Sequence, residues 1–214
     1  MAKLTLVIGN KRYSSWSLRP WIALKQIGLP FREVQVFLRR PETKAEILKH
    51  SPSGKIPCLI EGELSVWDSL AILEYLNELK PEAQLWPRDR AARAYARSIS
   101  AEMHSGFTAL RQHLGMDLQR EPQPGTWPAE ASADIERVQA IWAECRTCHG
   151  AGGPFLFGHF TAADAMYAPV VTRFHRYGVR LDPALAAYRD AVLALPAMQE
   201  WTAAAQTEPW DITL

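Results

Sequence analysis

Strand and helix signals alternate over residues 1–80 and the strand signals then stop, and nothing else in the 214-residue chain limits its fold as strongly. "LTLVIG" is a short β-rich run. "SLRPWIALKQIGLP" carries Leu18, Trp21, Ile22 and Leu24 at helical spacing and stops at Gly28 and Pro30, a helix with its terminator. "FREVQVF" is mostly apolar at Phe31, Val34, Val36 and Phe37, with a period close to two, and reads as a second strand. "PETKAEILKHS" reads as a short polar helix with Pro41 in its first turn. "PCLIEGELSVW" reads as two brief strands turning at Gly62, and "DSLAILEYLNEL" as an amphipathic helix with Leu70, Leu73 and Leu76 on one face. The order β-α-β-α-β-β-α predicts a four-stranded mixed sheet covered by helices.

The second half follows a different rhythm. "KPEAQLWPRD" holds two prolines and reads as a linker. From Arg88 onward Tyr95, Ile99, Met103, Phe107, Leu110 and Leu114 predict one long helix. "EPQPGTWP" is a loop, and a second long helix is expected from about Pro128 to His149. "TAADAMYAPVVTRFHRYG", "DPALAAYRDAVLAL" and "PAMQEWTAAAQ" complete an all-helical half, the last with Pro196 in its first turn. Thr161 and Asp164 have capping-box spacing, a folding signal.

Charge and cysteine content narrow the function. A net charge of +1, with "FLRRP" as the densest basic spot, speaks against a nucleic-acid partner. The apolar start "LTLVIG" is too short for a signal peptide or a membrane span, so the expected location is the cytoplasm. "CRTCH", Cys145 to His149, has the spacing of a haem attachment sequence. Ile135, Val138, Trp142 and Cys145 share a helical stripe, however, so Cys145 is expected in the core, with no haem and no metal.

Three stretches carry candidate chemistry. In "RYSSWSLRPW", Pro20 belongs within a first turn, so the helix is expected to start near Ser17, with Ser17 as its cap. Ser14 and Ser15 then lie ahead of a helix N-terminus, where a hydroxyl either caps the helix or donates to an anion. No histidine or carboxylate is near them in sequence, and the G-x-S-x-G pattern of a hydrolase is absent. In "SGKIPCLIEG", Pro57 opens a strand, and a cis bond after Ile56 is one way to use it. In "VWDSLAIL", Asp68 and Ser69 open a helix, where they either cap it or hold the carboxylate and amine of an α-amino acid end.

Together these pieces resemble the cytosolic glutathione S-transferase superfamily over nearly the whole chain. The resemblance rests on "KIP", on "DS" at a helix start, on "TAAD", on "LPAMQEW" and on their order. It implies an α/β thioredoxin-like glutathione-binding domain over 1–80, a linker over 81–87 and an all-α domain over 88–214. "SSWSLRPWIAL" is similar to the zeta-class segment SSCSWRVRIAL, with Trp16 in place of the zeta cysteine. The resemblance implies reduced glutathione as co-substrate, no metal, a small hydrophobic electrophile as partner and a homodimer, with neither nucleic acid nor membrane. It makes Ser14 the hydroxyl that stabilises the thiolate, with Ser15 beside it and Tyr13 as the rival. Lys55 is matched to the glycine carboxylate, Ile56 and Pro57 to the cysteinyl backbone, and Asp68 and Ser69 to the γ-glutamyl end. Tyr13, Trp16, Met103, His104, Phe107 and Arg111 are expected to form the acceptor pocket, closed by Trp210. Met103 and Phe107 also fit a core stripe. The implied activity is conjugation of glutathione; the alternatives are a glutathione-dependent isomerase or peroxidase, or a non-catalytic binding protein. Trp16 speaks against thiol-dependent isomerase chemistry.

Overall fold

A computed structural model describes residues 3–212, so the outermost residues of the two expected domains, 1–2 and 213–214, lie outside the described residues. The first half contains β1 (Leu4–Ile8), α1 (Ser15–Ile27), β2 (Phe31–Gln35), α2 (Thr43–Leu48), β3 (Cys58–Glu61), β4 (Leu64–Val66) and α3 (Ser69–Leu79). The sheet order is β2-β1-β3-β4, with β1 parallel to β2 and the other two pairs antiparallel. This is the mixed sheet expected from the alternating signals. Gly28 ends α1 in the left-handed conformation (φ 68°), its amide reaching Leu24 and Lys25 carbonyls, which lets the chain turn straight into β2.

A short 3₁₀ turn at Pro81–Ala83 leads to the helical half: α4 (Arg90–Ser105), α5 (Thr108–His113), α6 (Ala129–Cys148), α7 (Ala162–Arg176), α8 (Pro183–Leu193) and α9 (Pro196–Gln206). α7 is buried from Ala162 through Phe174 and packs against α1 and α4. Such a helix, covered on all sides, belongs at the centre of a core. Thr161 and Asp164 form the expected capping box at its start. One hydrophobic core runs from Leu6 and Ile8 through α1 to Trp142, Tyr167 and Trp201. A smaller cluster of Val7, Val36, Ile47 and Cys58 seals the opposite sheet face. Cys145 is fully buried in the main core, while the His149 ring stacks on Phe157.

Three boundaries differ from the sequence expectation. α1 begins at Ser15, not near Ser17, because the Ser14 carbonyl already accepts the Leu18 amide. Ser17 is fully buried and its Oγ accepts the Gly9 amide at 3.0 Å, so it ties β1 to α1 and caps nothing. Pro20 consequently falls in the second turn, where its missing N–H frees the Trp16 carbonyl. Pro41 stands ahead of α2, whose N-cap is Glu42. The long helix expected through Leu114 is broken at Gly106–Phe107, with Phe107 at φ 58°. Contacts between elements hold that break: Arg111 of α5 donates to the Met103 and Gly106 carbonyls, and Asp134 of α6 accepts the Leu110 amide at 2.9 Å.

Candidate functional site

A cavity of about 860 Å³ opens where the β1–α1 loop, the β3 entrance and the start of α3 converge beside α4. Its walls include Tyr13, Ser14, Ser15, Trp16, Lys55, Ile56, Pro57, Asp68 and His104. The structure thus gathers residues from four separate parts of the sequence. Leu38, Ile47, Ser53 and Trp67 also line it, and none of these was singled out from sequence.

The two serines differ. Ser14 is the N-cap of α1, but its hydroxyl donates to Ser17 Oγ at 2.8 Å and not to a helix amide. Ser15 is the first residue of α1, only 6% exposed, and among the described residues its hydroxyl has no hydrogen-bond partner. It therefore presents a free O–H to the cavity at the positive end of a 13-residue helix. Neither serine bonds a histidine or carboxylate, so no general base is set up for a serine nucleophile. Tyr13 lines the cavity, but its phenol donates to Asp211 at 3.4 Å and accepts the Ile212 amide at 3.3 Å. Burial raises its pKa, which keeps the phenol protonated, so it is the contacts to Asp211 and Ile212 that occupy its hydroxyl.

On the opposite wall, Lys55 is exposed and its amide bonds Ser53 Oγ at 3.2 Å. The Ile56–Pro57 peptide is cis, and Ile56 precedes Val7–Cys58, the last ladder pair. Asp68 caps α3, Oδ1 accepting the Leu70 and Ala71 amides at 3.0 and 3.4 Å. Its Oδ2 meets His104 Nε2 at 3.0 Å, a contact that joins the two halves across the cavity. Ser69 is fully buried behind Asp68 and lies outside the cavity lining, with Arg19 Nη1 at 3.4 Å from its hydroxyl.

Trp16 stands between two guanidinium groups, Arg19 at 4.2 Å and Arg111 at 4.9 Å, with the His104 ring edge-on at 5.2 Å. Arg19 is fully buried, and among the described residues its Nε and Nη2 have no hydrogen-bond partner. Burial, with repulsion from Arg111 and Arg173, pushes its guanidinium pKa well below the usual range. A charged residue inside the apolar run "SLRPWIAL" is the sequence signal that could have found it. Met103 and Phe107 are 2% and 6% exposed in the main core and do not line the cavity. Arg111 is turned back onto the carbonyls that end α4, and Trp210 packs on Phe37 and Arg40 outside the cavity. Among the described residues no group of three or more His, Cys, Asp or Glu could hold a metal ion.

Residues 13–79 match the family model "Glutathione S-transferase, N-terminal domain", and residues 88–204 match "Glutathione S-transferase, C-terminal domain". The chain is 30% identical over 191 residues to maleylacetoacetate isomerase of Rattus norvegicus, covering 86% of this chain and 85% of that one. It is 26% identical over 202 residues to glutathione S-transferase Z2 of Arabidopsis thaliana, covering 88% of each. A Burkholderia glutathione transferase homolog solved with bound glutathione superimposes with a TM-score of 0.73 at 23% identity, over 96% of this chain and 100% of that one. The tau-class enzyme of Mangifera indica does so with a TM-score of 0.72 at 19% identity, over 95% of this chain and 96% of that one.

Proposed function

The chain belongs to the glutathione S-transferase family, and from that premise we propose that its cavity binds reduced glutathione and holds the sulfur as a thiolate for attack on small hydrophobic electrophiles. The observation that carries this reading is the free Ser15 hydroxyl at the α1 N-terminus, facing a cavity with Lys55 and Asp68 on its walls. A free thiol titrates near ~8.5, so holding it ionised at neutral pH means lowering its pKa by ~2 units, about 3 kcal/mol. A hydrogen bond to a charged sulfur supplies ~1.5–3 kcal/mol. A helix N-terminus adds ~0.3–1 kcal/mol. The two together suffice without a general base.

In this reading Ser15 donates to the thiolate, and Ser14 holds the loop through Ser17. The sequence resemblance favoured Ser14 as the donor; Ser15 is preferred because the Ser14 proton is already directed at Ser17 Oγ. Lys55 attracts the glycine carboxylate, and Ile56 offers its backbone to the cysteinyl unit. Asp68 pairs with the γ-glutamyl amine; the Leu70 and Ala71 amides are already spent on Asp68 Oδ1 and Ser69 lies outside the cavity lining, so Asp68 alone is assigned to this end. Conjugation then forms a sulfur–carbon bond as the leaving group departs with its electron pair. The setting proposed is the cytoplasm.

A second reading is supported by the relatives named maleylacetoacetate isomerase: the thiolate adds to an unsaturated carbon, the carbon–carbon bond rotates, and the thiolate leaves. Calorimetric titration with glutathione tests both readings, and absence of binding at millimolar concentration sinks both. Turnover of a chlorodinitrobenzene-type acceptor, set against maleylacetoacetate and a hydroperoxide, separates conjugation from isomerisation and peroxidation. The same proposal includes a homodimer. Leu64, the first residue of β4, and Trp67, just after its end, are 47% and 44% exposed and supply apolar surface for it, and sedimentation tests it.

A further inference from the structure

We infer that Glu208, on the tail after α9, is a positioning residue for the loop that carries the serines. The inference rests on the reading that the cavity binds glutathione at Ser15. The loop leaves β1 at Ile8 and reaches α1 at Ser15, so Lys11 and Arg12 span its middle. A short loop of this kind ordinarily leaves its amides to water. Here the Lys11 amide donates to Glu208 Oε1 at 2.7 Å and the Arg12 amide to Oε2 at 3.0 Å, from 197 and 196 residues away. The Lys11 carbonyl accepts Trp201 Nε1 at 2.9 Å, and the Arg12 carbonyl accepts the Leu118 amide at 3.2 Å. Every backbone polar group of these two residues is therefore held by the helical half or its tail.

Glu208 is built for that task. Its residue is only 8% exposed, and Gln35 Nε2 also donates to Oε1, at 2.5 Å. The Arg12 guanidinium is engaged elsewhere, with Asp117 and Asp211, so neutral N–H dipoles hold the Glu208 charge. Its own backbone is anchored by Gln119 Nε2, which donates to the Glu208 and Ala205 carbonyls at 2.9 Å each. The clamp reaches the serines through Asn10, whose carbonyl accepts the Tyr13 and Ser14 amides at 3.2 and 2.8 Å. A carboxylate offers an acceptor to both loop amides. A glutamine in the same place offers one acceptor and turns an NH₂ against the other amide.

The test compares the wild-type chain with Glu208→Gln and with Thr207→Ala. The second variant removes a neighbouring bond to the Ala204 carbonyl and leaves the loop alone. The readouts are the pH midpoint of glutathione thiolate absorbance on the protein, kcat and KM for glutathione, and the melting temperature. Glu208→Gln is expected to raise the thiolate midpoint and lower kcat/KM about tenfold or more, since small displacements of a reacting group cost at least that much. Thr207→Ala is expected to leave both at wild-type values. A Glu208→Gln protein that melts earlier but keeps the wild-type midpoint and kcat/KM overturns the inference, as does an equal effect of Thr207→Ala. If Glu208→Gln does not fold, amide hydrogen exchange in the wild type decides: protected Lys11 and Arg12 amides support the clamp, and exchange as fast as in an open loop overturns it. A wild type that gives no thiolate signal with glutathione defeats the proposed function, while the exchange measurement still judges the clamp by itself.

Discussion

Replacing Ser15 by alanine removes the one hydroxyl at the α1 mouth that has no partner among the described residues. The loss of a hydrogen bond to a charged sulfur, ~1.5–3 kcal/mol, corresponds to a rise of roughly 1–2 units in the pKa of the bound thiol. The helix N-terminus remains and keeps ~0.3–1 kcal/mol of the stabilisation. The Ser15→Ala protein is therefore expected to bind glutathione as a thiol that ionises about where the free tripeptide does. Ser14→Ala is expected to behave differently, since it cuts the 2.8 Å bond to Ser17 Oγ. That is a neutral pair worth about 0.5–1.5 kcal/mol of stability, with the thiolate signal retained. The assay is a pH titration of thiolate ultraviolet absorbance at saturating glutathione, beside urea unfolding of each variant. The reasoning is refuted if Ser14→Ala abolishes the thiolate while Ser15→Ala keeps it, or if Tyr13→Phe alone removes the signal.

Other perturbations reach the scaffold and the site walls. Asp164→Ala strands the Leu156 amide, the Thr161 amide and the Thr161 hydroxyl, all buried, at 3.0, 2.7 and 2.9 Å from the lost carboxylate. At ~1–3 kcal/mol for each orphaned donor, partly relaxed, a loss of ~3–5 kcal/mol is expected in urea unfolding, with Asp164→Asn costing about half. Burial raises the Asp117 pKa, but the Arg12 hydrogen bonds and the Gln119 amide outweigh it and hold the carboxyl below its ordinary value. With the folded pKa depressed, its contribution is complete above the unfolded value of about 4 and is lost as pH falls through the folded one. The unfolding midpoints of wild type and Asp117→Asn should therefore converge as pH is lowered from 7 to 3. Lys55→Ala is expected to weaken glutathione binding a few-fold at low salt and less at high salt, because an exposed cation acts through a screened field; calorimetry at two ionic strengths checks it.

Apart from the break between α4 and α5, the order of the elements and most of the wall residues of the cavity can be read from the chain alone. Those features are written locally: period two against period 3.6, Gly28 and Pro30 after a helix, a proline opening a strand, an aspartate before "SLAIL". Even the cis bond at Ile56–Pro57 was within reach of that reading. Packing settles the rest, wherever a group's partner comes from another element. Ser17 reads as a cap but is spent on the Gly9 amide, and the helix through Leu114 breaks because Arg111 and Asp134 stabilise the two new ends. The same stripe that drew attention to Met103 and Phe107 sends them into the core beneath α7, leaving His104 to face the cavity. Glu208 carries no local signal whatever, since its role exists only once α9 brings it against a loop nearly 200 residues earlier. Local propensity sets what each segment becomes, but a buried hydrogen bond is chosen by whichever group the packing of other segments delivers to it.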